Sequence, residues 1–149
     1  MDYIGVKRRM GKVFEDEFMD IQVQMIALCL EFVGNEADKI YVYGSIEENS
    51  ISFNAFFEIQ GELKTTNKIV SDTDAVWEFL DLGESDLEKM QEVCKRYEKP
   101  VPTEVKLVYD CDSGKFDTKY QYESICSAKT GVDTSEIFME WFDEVRRSL

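Results

Sequence analysis

A chain of 149 residues sits near the usual size of one domain, and its 44% hydrophobic content is enough for a buried core, so global disorder is excluded. With 31 acidic against 17 basic residues and a formal charge of −14, most of the surface would repel nucleic acid and anionic membranes and attract a cationic partner. The absence of histidine removes Ser-His-Asp and Cys-His catalysis, the usual general base at neutral pH and most transition-metal sites.

From residue 6 to residue 33 large apolar side chains recur in steps of three and four: Val6, Met10, Val13, Phe14, Phe18, Ile21, Met25, Leu28, Cys29 and Phe32. That spacing predicts a long amphipathic helix, with Lys7, Arg8, Lys12, Glu15, Asp16 and Asp20 on its other face and Gly34-Asn35 as its stop. The pattern then changes to period two. Ile40-Tyr41-Val42-Tyr43, a turn at Glu47-Glu48-Asn49-Ser50, and Ile51, Phe53, Ala55, Phe57 and Ile59 on one strand face read as an antiparallel hairpin. Phe56 interrupts the polar alternation of Ser52, Asn54, Glu58 and Gln60, which predicts partial cover on the second face of the sheet. Residues 61–67 read as a loop or a further hairpin.

Ser71 with Asp74 and Ser85 with Glu88 match the capping-box pattern, predicting two helical pieces broken near Gly83. The first would bury Val76, Trp77, Phe79 and Leu80, the second Leu87, Met90, Val93, Cys94 and Tyr97, before Pro100 and Pro102 end it. Val105, Leu107 and Tyr109 alternate up to Asp112-Ser113-Gly114, and Phe116, Thr118, Tyr120 and Tyr122 alternate after it, the clearest hairpin signal in the chain. A last helix, opened by Asp133 or Thr134, would turn Ile137, Phe138, Trp141, Phe142 and Val145 inward, with Arg146 and Arg147 against the negative end of its dipole. The expected fold is one α+β domain over residues 1–149: a mostly antiparallel sheet of four to six strands, with a long N-terminal helix, a central helix pair and a C-terminal helix packed on one face.

Several chemical motifs fail on spacing. Asp110-Cys111-Asp112-Ser113-Gly114 lacks the third ligand and the closing glutamate of a calcium loop and reads as a hairpin turn. Gly5 and Gly11-Lys12 do not have the spacing of a phosphate loop. Cys29, Cys94, Cys111 and Cys126 form no C-x-x-C pair, and residues 1–9 carry no apolar stretch of signal-peptide length, so free thiols in the cytoplasm are expected. No metal and no cofactor is expected. No spacing singles out a catalytic carboxylate pair, although paired carboxylates acting on a sugar or phosphate, with or without magnesium, stay open as a hydrolase.

The densest charge lies over residues 72–92, where Asp72, Asp74, Glu78, Asp81, Glu84, Asp86, Glu88 and Glu92 stand against the single base Lys89. Helix N-termini favour Asp72, Asp74, Asp86 and Glu88 without any partner. The segment reads either as a solvated helix face or as a partner-contact surface, and the candidate contact residues are Asp72, Asp74, Glu78, Asp81, Glu84 and Asp86. Tyr41, Tyr43, Tyr120 and Tyr122 read as sheet packing or as interface anchors.

Leu107-Val108-Tyr109-Asp110, the turn Ser113-Gly114-Lys115-Phe116, and Tyr120-Gln121-Tyr122-Glu123 together resemble the hairpin of the YezG-like immunity proteins, acidic single-domain antitoxins encoded beside bacterial polymorphic toxins. The N-terminal helix, the Ile40-Tyr41-Val42-Tyr43 strand and the strand from Phe53 to residue 59 follow in that family's order. The family often continues into a segment with a tryptophan and a tyrosine-rich end, whereas here Trp141 belongs to an amphipathic helix ending Arg146-Arg147-Ser148-Leu149. The resemblance implies no catalytic residues. It implies a binding protein that neutralises a cognate toxin domain, often a nuclease with a cationic groove; a monomer or weak homodimer is expected. An acidic adaptor for a basic peptide is the other binding-class reading.

Overall fold

Helical periodicity at the start of the chain and a glycine at its end produce the first element. In the computed structural model, which describes residues 3–34, 36–47, 50–126 and 130–149 with side chains from residue 13 onward, helix α1 spans Tyr3–Val33. Gly34 closes it at φ 73°, a left-handed conformation that side chains resist, and donates its N–H to the Leu30 carbonyl at 3.0 Å. The expected roles of Val6, Lys7, Arg8, Met10 and Lys12, of Asn35 in the stop and of Glu48-Asn49 in the first turn lie outside the described residues or side chains.

Strands β1 (Lys39–Glu47) and β2 (Ser50–Ile59) form the expected antiparallel hairpin, Ile40 opposite Phe57 and Ile46 opposite Ile51. Residues 61–67 resolve into a tighter hairpin: Gln60 and Gly61, both at positive φ, turn the chain into β3 (Glu62–Thr65), as two-residue hairpin turns require. A single turn of helix, α2 (Thr66–Ile69), leads to α3 (Thr73–Arg96). Strands β4 (Glu104–Asp110) and β5 (Phe116–Gln121) form the last hairpin, and α4 (Thr134–Ser148) follows, capped by the Asp133 carboxylate on the Ser135 N–H at 3.1 Å. The five strands make one antiparallel sheet in the order β3-β2-β1-β4-β5. Fold class, antiparallel sheet, long first helix and closing helix are as the sequence predicts. Among the described residues, no helix is long and apolar enough to cross a membrane.

Helices α1 and α3 pack antiparallel on one face. Phe14 in the first half of α1 meets Tyr97 at the end of α3, ring centroids 5.4 Å apart, and Phe32 near the end of α1 stacks on Phe79 near the start of α3 at 4.2 Å. Beneath them, Ile40, Val42, Ile46, Phe53, Ala55, Phe57, Val105 and Leu107 form the sheet side of the main core. Along β5, Phe18 lies over Tyr120, and the next turn of α1 brings the fully buried Gln22 over Tyr120 and Thr118. Four helical residues advance about 6 Å and two strand residues about 6.6 Å, so the two elements keep step. Gln22 Nε2 donates to the Tyr120 hydroxyl at 2.8 Å and the Thr118 hydroxyl donates to Gln22 Oε1 at 2.9 Å, which satisfies an amide in an otherwise apolar layer.

The expectation that every helix packs on one face is corrected by α4. It covers the opposite face, where Tyr41, Tyr43 and Phe56 meet Phe138, Trp141 and Phe142. Phe56 marks this side, as its break in the alternation predicts, and strand β1 is consequently buried on both faces. Beside this layer the Tyr43 hydroxyl donates to the buried Glu104 carboxylate at 3.1 Å, and Lys106 lies 3.8 Å from the other Glu104 oxygen and 5.5 Å over the Trp141 ring.

The expected central helix pair, broken near Gly83, is one continuous 24-residue helix. Asp72, not Ser71, is its N-cap, and Ser85 with Glu88 caps nothing because both lie within the helix. Gly83 serves a close approach: a Cβ there would stand 2.1 Å from the Phe53 ring, and one on Gly44 of β1 would stand 2.7 Å from Leu87. Each glycine thus receives a large side chain from the other layer. Gly83→Ala should therefore lower stability by about 2 kcal/mol, the cost of overpacking against a buried ring outweighing the roughly 1 kcal/mol that alanine adds to a helix. Urea unfolding checks this, and a stabilised variant would show that α3 can lift from the sheet at little cost.

Candidate functional site

Helix α3 has two opposed faces, set by its contacts with the sheet. Phe79, Gly83, Leu87, Met90, Val93 and Cys94 are buried and line the inner face. At 3.6 residues per turn, Asp74, Glu78, Asp81, Glu84, Glu88 and Glu92 fall within roughly a third of the circumference on the outer face. All are exposed except Glu84, which is half-buried. Partial burial, with Asp81 and Glu88 adding repulsion, raises the Glu84 carboxyl above its ordinary value.

The structure therefore brings together four of the six sequence-selected acids, Asp74, Glu78, Asp81 and Glu84, and extends their stripe with Glu88 and Glu92. Asp72 sits at the helix start, where its carboxylate accepts the Asp74 N–H at 3.0 Å. Asp86 turns away from the stripe into the seam with α1, only 8% exposed, with Lys89 3.8 Å away as a loose counter-ion. Desolvation raises the Asp86 carboxyl despite the lysine, and burial, with Asp86 adding repulsion, raises the Cys29 thiol. A raised carboxyl means that the fold loses stability as pH climbs through that value. Asp86→Asn should accordingly stabilise the protein at neutral pH, and the gain should vanish below pH 3.8, where the unfolded chain is also protonated. Thermal melts of both proteins across acid pH check this; a variant less stable at pH 7 would mean that the Lys89 contact outweighs desolvation.

Trp77 is the residue that sequence reasoning misplaced. Expected inward, it is 61% exposed and stands in the acidic stripe between Asp74, one turn before it, and Asp81, one turn after it. Two residues separate it from the buried Phe79, a rotation of roughly 200° about the helix axis, so both cannot face the sheet. An exposed indole offers its electron-rich face to a cation, and carboxylates on either side would hold the same guanidinium or ammonium by charge-assisted hydrogen bonds. The arrangement suits an arginine or lysine anchor from another protein.

A second concave region lies between α1 and α3. This cleft of about 350 Å³ gathers Glu17, Asp20 and Glu92 with Lys89 and Arg96, and Arg96 is tied to Glu17 at 2.8 Å. Among the described residues, no group of three or more His, Cys, Asp or Glu is placed to hold a metal ion. At the tip of the β4–β5 hairpin the Asp110 carboxylate accepts the N–H groups of Asp112 and Ser113 at 3.0 and 3.2 Å. Those bonds, Ser113 first, hold its carboxyl below the ordinary value and make the segment a side-chain-braced turn. The four cysteines are free: Cys29, Cys94 and Cys126 are buried and Cys111 half-buried.

A scan against protein-family models finds no match to this chain, and a search of curated proteins finds none. The YezG-like resemblance thus rests on the hairpin residues and the order of elements.

Proposed function

We propose that this chain is an immunity-type protein that acts in the cytoplasm, as a monomer or weak homodimer, by binding and neutralising a cognate toxin domain with a basic active-site groove, such as a nuclease. The observation that carries this reading is the outward stripe of α3, where the exposed Trp77 is set among six carboxylates. Long-range attraction would speed encounter with a cationic groove, and a guanidinium stacked on the indole would slow release. A partner seated on this stripe would have its groove filled by acid and closed to nucleic acid. No bond need be made or broken by the chain itself.

Co-expression with the toxin domain encoded beside it should restore growth of a sensitive host. Continued killing while the chain accumulates in folded form would refute the assignment. A second reading, a carboxylate-dependent hydrolase, draws on the α1–α3 cleft with Glu17, Asp20 and Glu92. Its signature would be turnover of a sugar or phosphate ester lost on Asp20→Asn. An adaptor would instead bind several unrelated basic peptides with similar affinity.

A further inference from the structure

The sheet stops at β5, whose outer edge has no partner strand. Which of its peptide groups face outward follows from the ladder with β4. The Asp110 N–H donates to the Lys115 carbonyl at 2.9 Å and the Thr103 N–H donates to the Gln121 carbonyl at 2.8 Å, so residues 115 and 121 turn inward. Alternation along an antiparallel strand turns 117 and 119 inward as well, and leaves the N–H and C=O of Phe116, Thr118 and Tyr120 on the open side. Among the described residues no hydrogen bond reaches these outward groups. Phe18 and Gln22 of α1 meet Tyr120 and Thr118 through side chains on one face of the sheet, not along its edge. The opposite edge is blunted, because β3 has four residues and runs straight into α2.

The β5 strand is complementary to itself. A second copy laid antiparallel about a two-fold axis through Thr118 would set Thr118 opposite Thr118 and Phe116 opposite Tyr120, the same residues whose peptide groups are free. Between them Asp117 of each copy would stand opposite Lys119 of the other, in the pairs where side chains come closest. Both side chains are exposed and neither has an ion pair within the chain. Lys119 instead lies opposite Lys106 of β4, a like charge that the Asp117 of a second copy would offset. Sliding the copies by two residues one way sets Asp117 against Asp117 and Lys115 against Lys119; sliding them the other way sets Lys119 against Lys119. Charge thus selects one register. Residues 115–121 hold two lysines to one aspartate, with Asp112 and Glu123 beyond the ends, so two chains of charge −14 can meet here without setting acid against acid. We propose that the chain self-associates through β5, joining two sheets into one continuous antiparallel sheet with Asp117 and Lys119 paired across the two-fold axis. None of these residues belongs to the Trp77 stripe, so the proposal goes beyond the function suggested above and can fail without it.

The test follows sedimentation equilibrium of the full chain up to millimolar concentration, together with amide hydrogen exchange at Phe116, Thr118 and Tyr120. A monomer–dimer equilibrium is expected, with these three amides slowing as the dimer fills. Lys119→Glu and Asp117→Lys each replace both opposite-charge pairs with like-charge pairs, and each should weaken the dimer by about tenfold or more. Combining Asp117→Lys with Lys119→Asp restores the opposite pairs in this register and should recover the dimer. Both positions are exposed, and unchanged unfolding midpoints confirm that the variants fold. The proposal is overturned if the chain stays monomeric at millimolar concentration, if either single variant dimerises as tightly as the unmodified chain, if the double exchange fails to recover the dimer, or if a dimer forms while the three amides keep their exchange rates. It is equally overturned if those amides slow only when a toxin domain is added, because the edge would then take a partner's strand and not a second copy.

Discussion

Replacing Phe56 with alanine should lower the free energy of unfolding by about 3–5 kcal/mol, the range for deleting a fully buried aromatic ring. The ring has no solvent exposure and is enclosed by four others: Tyr41 stacked on it at 4.5 Å, Trp141 at 5.0 Å, Phe142 at 5.2 Å and Phe138 at 5.7 Å. These contacts are most of what holds α4, because that layer is built from Phe56, the two tyrosines of β1 and one face of the helix. The damage should consequently be uneven. Amide hydrogen exchange in residues 134–148 should accelerate well before exchange in β1, which stays pinned from its other face by α1 and α3. Phe56→Leu should cost less than half as much. A loss below about 1 kcal/mol for alanine would mean that α4 is secured by other contacts.

Changing the outward face of α3 should have the largest effect on binding without disturbing the fold. Reversing Asp74, Asp81 and Glu88 to lysine should slow association with the toxin domain by about 10- to 100-fold at low salt, and the difference from the unmodified protein should shrink as salt rises. Trp77→Ala should act on the other rate. Losing a central aromatic anchor typically costs about 2 kcal/mol or more, equivalent to a roughly thirtyfold faster dissociation. Because Trp77 and the three acids are all exposed, stability should change by no more than about 0.5 kcal/mol, which separates loss of an interface from loss of structure. Stopped-flow association and surface-based dissociation kinetics measure the two effects independently.

Much of this architecture is legible from periodicity, and the misreadings share one cause. The step of three and four gave α1, the step of two gave both hairpins, and Phe56, where the alternation broke, foretold the second apolar layer. What local pattern could not supply was the neighbour across space. Gly83 looks like a helix breaker until Phe53 is seen to occupy the room that a side chain would take. Dividing α3 there hid the helical register that places Trp77 opposite Phe79. Over the unbroken helix, the buried positions 79, 83, 87, 90 and 94 define an inner face and would have put Trp77 outside. The acidic stretch was visible as composition, yet only the helix axis shows which of its members act together: Asp86, indistinguishable from Asp81 in the sequence, points into the α1 seam.

Trp77 in the bound state is the most direct test of whether the α3 face is where this protein works. Free in solution, an indole that is 61% exposed should be readily oxidised by hydroxyl radicals, and mass spectrometry can follow that oxidation in a saturated complex with the toxin domain. The account predicts strong protection of Trp77 under conditions in which the toxin is fully inhibited. A tryptophan oxidised as fast in that complex as in the free chain would contradict it.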